Sequence, residues 1–200
     1  MRSIHKYIIT TKGDRYANTS NINGVDFIVN TEMFNHEYVN REATVLSVPT
    51  AYSSEVEVGD TVIVHHNVFR RWQNQYAIEK NCSSYLDEDT YQCHLDQVYM
   101  RKPKGGNWRG VQGYCFVVPV KNDEFISEQA EKKEIGVVEV GNDELDRLGI
   151  KEGDTIAFTP ESEYRFVVDG KVMYRMRWDD ICLKLKDGVY EKYEPRWAEA

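Results

Sequence analysis

Residues 57–64 read EVGDTVIV, and residues 151–158 read KEGDTIAF. In both stretches a Gly-Asp pair is followed at once by threonine and an apolar run, which is typical of a tight turn that leads into a strand. The two glycines, Gly59 and Gly153, lie 94 residues apart. A turn and strand that recur after almost half of the chain predict an internal duplication.

Three further landmarks recur in the same order around the two turns. The stretches before the turns are KYIIT at 6–10 with CFVVP at 115–119, and TVLSV at 44–48 with GVVEV at 136–140; those after the turns are LDQVYM at 95–100 and WDDICL at 178–183. Four landmarks in one order are hard to obtain by chance. The alternative is an accidental repeat of strand and turn in a β-rich chain.

The duplication divides the chain into two domains. We expect one copy over residues 1–103, which includes a long loop, and a second copy with a C-terminal tail over residues 113–200. Residues 104–112 between them are predicted to be a linker, because the surrounding sequence KPKGGNWRGVQG is polar and rich in glycine.

Short apolar runs separated by Gly, Asn, Asp and Pro are typical of small sandwiches and barrels. Aromatic residues make up 12% of the chain, which favours strands. The one clear helix signal is NDELDRL at 142–148, with Asn142 or Asp143 as the N-cap and Gly149 as the stop. The predicted fold class is therefore all-β, as two tandem small β-barrels with little helix.

The composition argues against several classes of function. The net charge of −8 disfavours nucleic acid and anionic membranes as partners. Residues 1–11 lack the apolar core of a secretory signal, and no apolar run is long enough to cross a bilayer, so we expect a cytoplasmic protein. The four scattered cysteines suggest neither a disulfide framework nor a zinc knuckle, and we expect buried free thiols.

Two clusters could carry a more specific site. His65 and His66 are adjacent at the end of a predicted strand. Adjacent side chains in a strand point to opposite faces, so we do not expect the two histidines to share a metal ion. Arg70, Arg71 and Trp72 could stack on a base or grip a phosphate, but nearby acidic residues dilute them, and a subunit interface is the favoured interpretation.

The sequence contains no recognisable catalytic motif. A Gly-x-Ser-x-Gly elbow, a Walker loop and a dinucleotide fingerprint are all lacking, so no enzyme activity, catalytic residue, cofactor or metal is predicted. Asp60 and Asp154 recur in the repeat and are interpreted as turn residues whose carboxylates accept bonds from nearby backbone amides. A small-molecule binding or enzymatic barrel is an alternative interpretation of the fold.

The order of landmarks resembles the GroES-like, or chaperonin-10, co-chaperonin family. The likeness is clearest in GVVEVG at 136–141, IKEGDTIAF at 150–158 and DDICLKL at 179–185. It implies two tandem GroES-like barrels, a form that exists in the family. It also implies a mobile loop after the first strand, which carries an apolar tripeptide that docks on a chaperonin.

The resemblance places that tripeptide at Phe27, Ile28 and Val29, within GVDFIVNT. The surrounding loop from Lys12 to Arg41 is polar and long for a compact domain, which is typical of a functional segment. The second copy offers only Phe125 and Ile126 in a shorter, charged loop.

Two functions are consistent with these observations. The first is a co-chaperonin-like lid, in which several copies close into a homo-oligomeric ring and cap a chaperonin. The second is a structural ring or collar in a bacteriophage particle, where the partners are virion proteins and the site is the host cytoplasm or the virion.

Overall fold

The chain folds into two compact units, Met1–Asn107 and Trp108–Ala200, called unit one and unit two. A computed structural model describes the chain except for residues 1, 16–18, 23–24, 29–38, 77, 123–130, 187–190 and 194–200, and it describes only the backbone at 19–22, 25–28, 73 and 79. The division into units falls inside the predicted linker. That segment contains the short strand Arg109–Gly110 and the buried residue Val111.

The described part of unit one is built from strands and two 3-10 turns. The strands are β1 (Tyr7–Thr11), β2 (Thr19–Ile22), β3 (Val25–Ile28), β4 (Glu42–Ser47), β5 (Thr61–Val64), β6 (Arg71–Gln73), β7 (Glu79–Asn81), β8 (Tyr85–Asp87), β9 (Thr90–Cys93) and β10 (Val98–Lys102). The 3-10 turns are His66–Val68 and Leu95–Gln97.

The described part of unit two is also built mainly from strands, with one short helix. Its described elements are β11 (Arg109–Gly110), β12 (Tyr114–Lys121), β13 (Glu131–Val140), helix α1 (Asp143–Arg147), β14 (Thr155–Phe158), β15 (Tyr164–Val168), β16 (Lys171–Arg177), a 3-10 turn (Trp178–Asp180) and β17 (Ile181–Lys184). Residues 191–193 lie beside the end of β12, where the Tyr193 amide donates to the Pro119 carbonyl at 2.8 Å.

The two units share one strand order. In unit one the neighbours run β10-β5-β4-β1-β9-β8, and in unit two they run β17-β14-β13-β12-β16-β15. Every neighbouring pair in both series is antiparallel. The four landmarks of the sequence therefore occupy equivalent strands and turns in both units.

The cores of the units are also built from equivalent positions. Ile9 pairs with Val45 in unit one, and Val117 pairs with Val138 in unit two; all four side chains are buried. Burying one aliphatic side chain of this size contributes about 1.5–3 kcal/mol. The repeated apolar strands thus supply the same central contacts to each sheet.

The recurring turns form the same hydrogen bonds. Gly59 donates its amide to the Val45 carbonyl at 2.8 Å, and Gly153 donates to Val138 at 2.8 Å. The Asp60 carboxylate accepts from the Glu57 amide at 3.0 Å, and Asp154 accepts from the Lys151 amide at 2.7 Å. These bonds confirm the interpretation of both aspartates as turn residues.

The predicted all-β class with little helix is confirmed. The helix forms at the predicted place, and Asn142 rather than Asp143 is its N-cap, because the Asn142 Oδ1 accepts from the Leu145 amide at 2.8 Å. Among the described residues each strand series is open, so closure into a barrel stays a prediction.

No helix in the described ranges combines the length and the apolar character needed to span a membrane.

Candidate partner-binding site

The predicted docking loop of unit one contains a β-hairpin. Between β1 and β4 the chain forms strands β2 and β3, which pair with each other from Thr19↔Ile28 to Ile22↔Val25. Phe27 and Ile28 are the last two residues of β3, and Val29 lies outside the described residues. The segment from 12 to 41, called the insertion, thus carries two of the three predicted docking residues on a strand.

The base of the insertion is fastened by Asn40. Its side-chain amide donates to the carbonyls of Lys12 at 2.9 Å and Asp14 at 2.8 Å, and its Oδ1 accepts from the Glu42 amide at 2.9 Å. The Asn40 backbone amide also donates to the Arg15 carbonyl at 2.9 Å. Because one side chain bonds both ends of the insertion, the two ends are held together where they leave the sheet.

Arg15 fastens this base to the rest of unit one. Its Nε and Nη2 donate to the Phe69 carbonyl at 3.1 and 2.7 Å, and its Nη1 donates to the Asn81 Oδ1 at 2.8 Å. The guanidinium also lies 5.1 Å from the ring centroid of Tyr91, within the range of a cation–π interaction. The pKa of Tyr91 is raised because its phenol is buried, although the Arg15 charge acts in the opposite direction.

The corresponding loop of unit two is much shorter. Lys121 at the end of β12 pairs with Glu131 at the start of β13, so only residues 122–130 separate the strands. Phe125 and Ile126, the apolar residues that the sequence offered there, lie outside the described residues.

A second hairpin, β6 with β7, occupies the stretch between β5 and β8. At its tip the Asn74 Oδ1 accepts from the amides of Tyr76 and Ile78, each at 3.0 Å. Tyr76 is 74% exposed and Ile78 is 58% exposed. Trp72, farther down the hairpin, is also exposed, and the Lys80 Nζ lies 5.9 Å from its ring centroid. Aromatic residues of this kind dominate the binding energy of many protein interfaces.

An open cleft of about 370 Å³ is lined in part by Arg15. Its lining includes two cationic residues of the β6–β7 hairpin, Arg71 and Lys80. It also includes two anionic residues of the turn between β8 and β9, Glu88 and Asp89. The sequence interpretation missed this cleft, because it took the acidic residues to dilute the basic cluster. In the folded chain the cationic residues and the anionic residues of the cleft lie on separate elements.

The expected arrangement of the histidine pair is wrong. Strand β5 ends at Val64, so His65 and His66 do not alternate across a strand. His65 instead caps a 3-10 turn, where its Nδ1 accepts from the Asn67 amide at 3.0 Å, and the two imidazole rings stack at 4.2 Å. In the described part of the chain, no group of three or more His, Cys, Asp or Glu residues is placed to hold a metal ion.

The four cysteines are free, but the expectation that they are buried is wrong for Cys182. Cys93 and Cys115 are buried, whereas Cys182 is exposed and Cys82 is partly buried. Burial raises the pKa of the Cys115 thiol to about 12, and burial also raises the pKa of the Cys93 thiol. These two thiols are protonated at neutral pH and are therefore poor nucleophiles.

No protein-family model and no curated protein matches the chain.

Proposed function

We propose that this protein is a ring-forming, co-chaperonin-like protein that caps a chaperonin through the insertion of unit one. The observation that carries the proposal is the β2–β3 hairpin on a base fastened by Asn40 and Arg15. The sequence at the end of β3 and directly after it is Phe27, Ile28 and Val29. It supplies the apolar residue types that an apolar groove on a partner would bind.

The hairpin has the physical character of a segment that a partner completes. Among the described residues, β2 and β3 form a sheet of two strands with no further neighbour. A two-stranded hairpin alone is only marginally stable in water. Part of the binding energy is then spent on ordering the segment, which lowers the net affinity and suits a partner that must release its cap.

Ring assembly is supported by strand β17. It is the last strand of its series among the described residues, and Leu183 on it is 60% exposed. The equivalent strand of unit one, β10, is buried at Val98, Tyr99 and Met100. An exposed edge strand is a template for pairing with another chain, and a head-to-tail contact between copies closes a ring when the rotation allows it.

Docking is tested by mixing the purified protein with a chaperonin and following co-migration on size exclusion in each nucleotide state. We expect co-migration in at least one state. Replacing Phe27, Ile28 and Val29 together by serine should abolish it, whereas the matched change of Phe125 and Ile126 in unit two should not. Failure of the unchanged protein to co-migrate in any state would refute the docking proposal.

Assembly is tested separately by native mass spectrometry of the unchanged protein and of Leu183→Lys. We expect a closed oligomer that the substitution dissociates into single chains. A monomeric wild-type protein at micromolar concentration would refute the ring. A ring that binds no chaperonin would favour the structural alternative, a collar of a bacteriophage particle.

A further inference from the structure

The cleft of unit one has a preformed floor. Tyr91 is 1% exposed, and its ring packs edge-on against Phe69 and Tyr85 with centroid distances of 4.8 and 5.7 Å. The Arg15 guanidinium lies over the same ring and is held by its three hydrogen bonds. Because Tyr91 is fixed by buried packing and Arg15 by its hydrogen bonds, the floor does not have to form when a ligand enters.

Donors on one side of the cleft come from the β6–β7 hairpin. Arg71 and Asn81 are cross-strand partners there, and Lys80 is the neighbour of Asn81 on β7. Since the Asn81 Oδ1 accepts from Arg15, the Nδ2 group is the end of that amide that can donate to a ligand. Two cations and an amide donor suit a carboxylate.

Acceptors come from a different element, the turn between β8 and β9. Glu88 and Asp89 bring two exposed carboxylates to the cleft. They attract a protonated amine, and they repel a ligand that carries only negative charge, such as a phosphate. A purely cationic ligand is repelled in the same way by Arg71 and Lys80.

We propose that this cleft binds a zwitterion, a ligand that carries a carboxylate and a protonated amine at separate ends. The volume of about 370 Å³ lies in the range of small-ligand sites. The same chemistry is available from a free amino acid or from a peptide with neighbouring acidic and basic side chains. The proposal goes beyond the capping function and does not depend on it.

The test uses the full chain and unbranched amino carboxylates from glycine to 6-aminohexanoate, with alkyl carboxylates and alkylamines of equal length as monofunctional controls. Backbone NMR shifts of Arg71, Lys80 and Tyr91 report binding. A blocked tripeptide that contains Lys and Glu forms the peptide arm, and the same tripeptide with either charged residue replaced by Gln serves as its monofunctional control. We expect at least one bifunctional probe, free or peptide, to bind at least fivefold more tightly than its monofunctional controls.

Variants locate the binding at the cleft. Lys80→Gln and Glu88→Gln should each weaken the preferred probe at least fivefold without changing the melting temperature. Lys133→Gln and Glu163→Gln, which remove exposed charges from unit two, should leave binding unchanged. Monofunctional probes that bind as well as bifunctional ones in both arms, or cleft variants that bind like the wild type, would overturn the proposal.

Discussion

Units one and two share one strand order but differ in what lies between the strands. Unit one carries the insertion at 12–41 between β1 and β4, and residues 65–84 between β5 and β8. The equivalent connections in unit two are only residues 122–130 and 159–163. The core and the Gly-Asp turns therefore define the shared framework, and the proposed binding segments lie in the longer loops of unit one.

The strongest contrast within the shared framework is the aspartate of the repeated turn. Asp60 is 4% exposed and pairs with Arg101 at 3.1 Å, whereas Asp154 is more exposed and pairs with Lys184 at 2.6 Å. A carboxylate that is buried depends more on its partners, because water cannot replace them. The two units thus use one turn with unequal energetic consequences.

Asp60→Ala is expected to have the largest effect. The change removes a charged acceptor from the Glu57 amide and from Arg101 in a buried position, so unit one should lose about 2–3 kcal/mol of its free energy of unfolding. Asp154→Ala should cost unit two only about 1 kcal/mol, since its ion pair is partly exposed to water.

Hydrogen exchange followed by mass spectrometry measures both effects, because peptides from β5 and β14 report the two units separately. The wild-type protein and each variant are compared under conditions where exchange reports the opening equilibrium. Equal losses in the two units would contradict the assigned difference in burial.

The turn glycines are expected to behave alike. Gly59 has a φ of +93° and Gly153 a φ of +91°, and a Cβ at either site would meet nothing within 4 Å. Gly→Ala at each position should therefore cost only the backbone penalty, about 1–2 kcal/mol. Gly141→Ala, at a glycine without a positive φ and with contacts no closer than 3.9 Å, is the matched control and should change little. A cost confined to one unit would break the equivalence of the turns.

The framework was predictable because its signals are local and repeat. The Gly-Asp turns, the apolar runs and the Asn142 cap each lie within a few neighbouring residues, and two copies reinforce one another. The cleft was not predictable, because Arg15, Lys80 and Glu88 meet only through long-range packing. The hairpin inside the insertion was missed for a related reason: its short strands lie among polar residues and lack a clear apolar alternation.

The fastened base of the insertion distinguishes unit one in a way that Asn40→Ala can test. The change removes three hydrogen bonds to Lys12, Asp14 and Glu42 at a partly exposed site, so we expect a local loss of about 1 kcal/mol. Exchange of the Lys12 and Glu42 amides should accelerate about fivefold, which is the factor that corresponds to this free energy. Asn107→Ala, at an exposed asparagine, should leave these amides unchanged.

The smallest expected effect is the pH dependence of the turn in unit two. The hydrogen bond from Lys184 lowers the pKa of Asp154 below its ordinary value of about 3.9 in an unfolded chain. A lowered pKa means that the charged carboxylate stabilises the folded state above about pH 4, and that this contribution is lost as the pH falls through the folded pKa.

Melting curves between pH 2 and pH 6 should therefore show a steeper acid loss for the wild type than for Asp154→Asn, which has no carboxylate to protonate at this turn. Lys184→Gln should flatten the curve in part, because it removes the partner that lowers the pKa while keeping the acid. If the melting temperatures of all three proteins fell equally as the pH is lowered, the Asp154–Lys184 pair would contribute nothing measurable to stability. The turn of unit two would then depend on its backbone bonds alone.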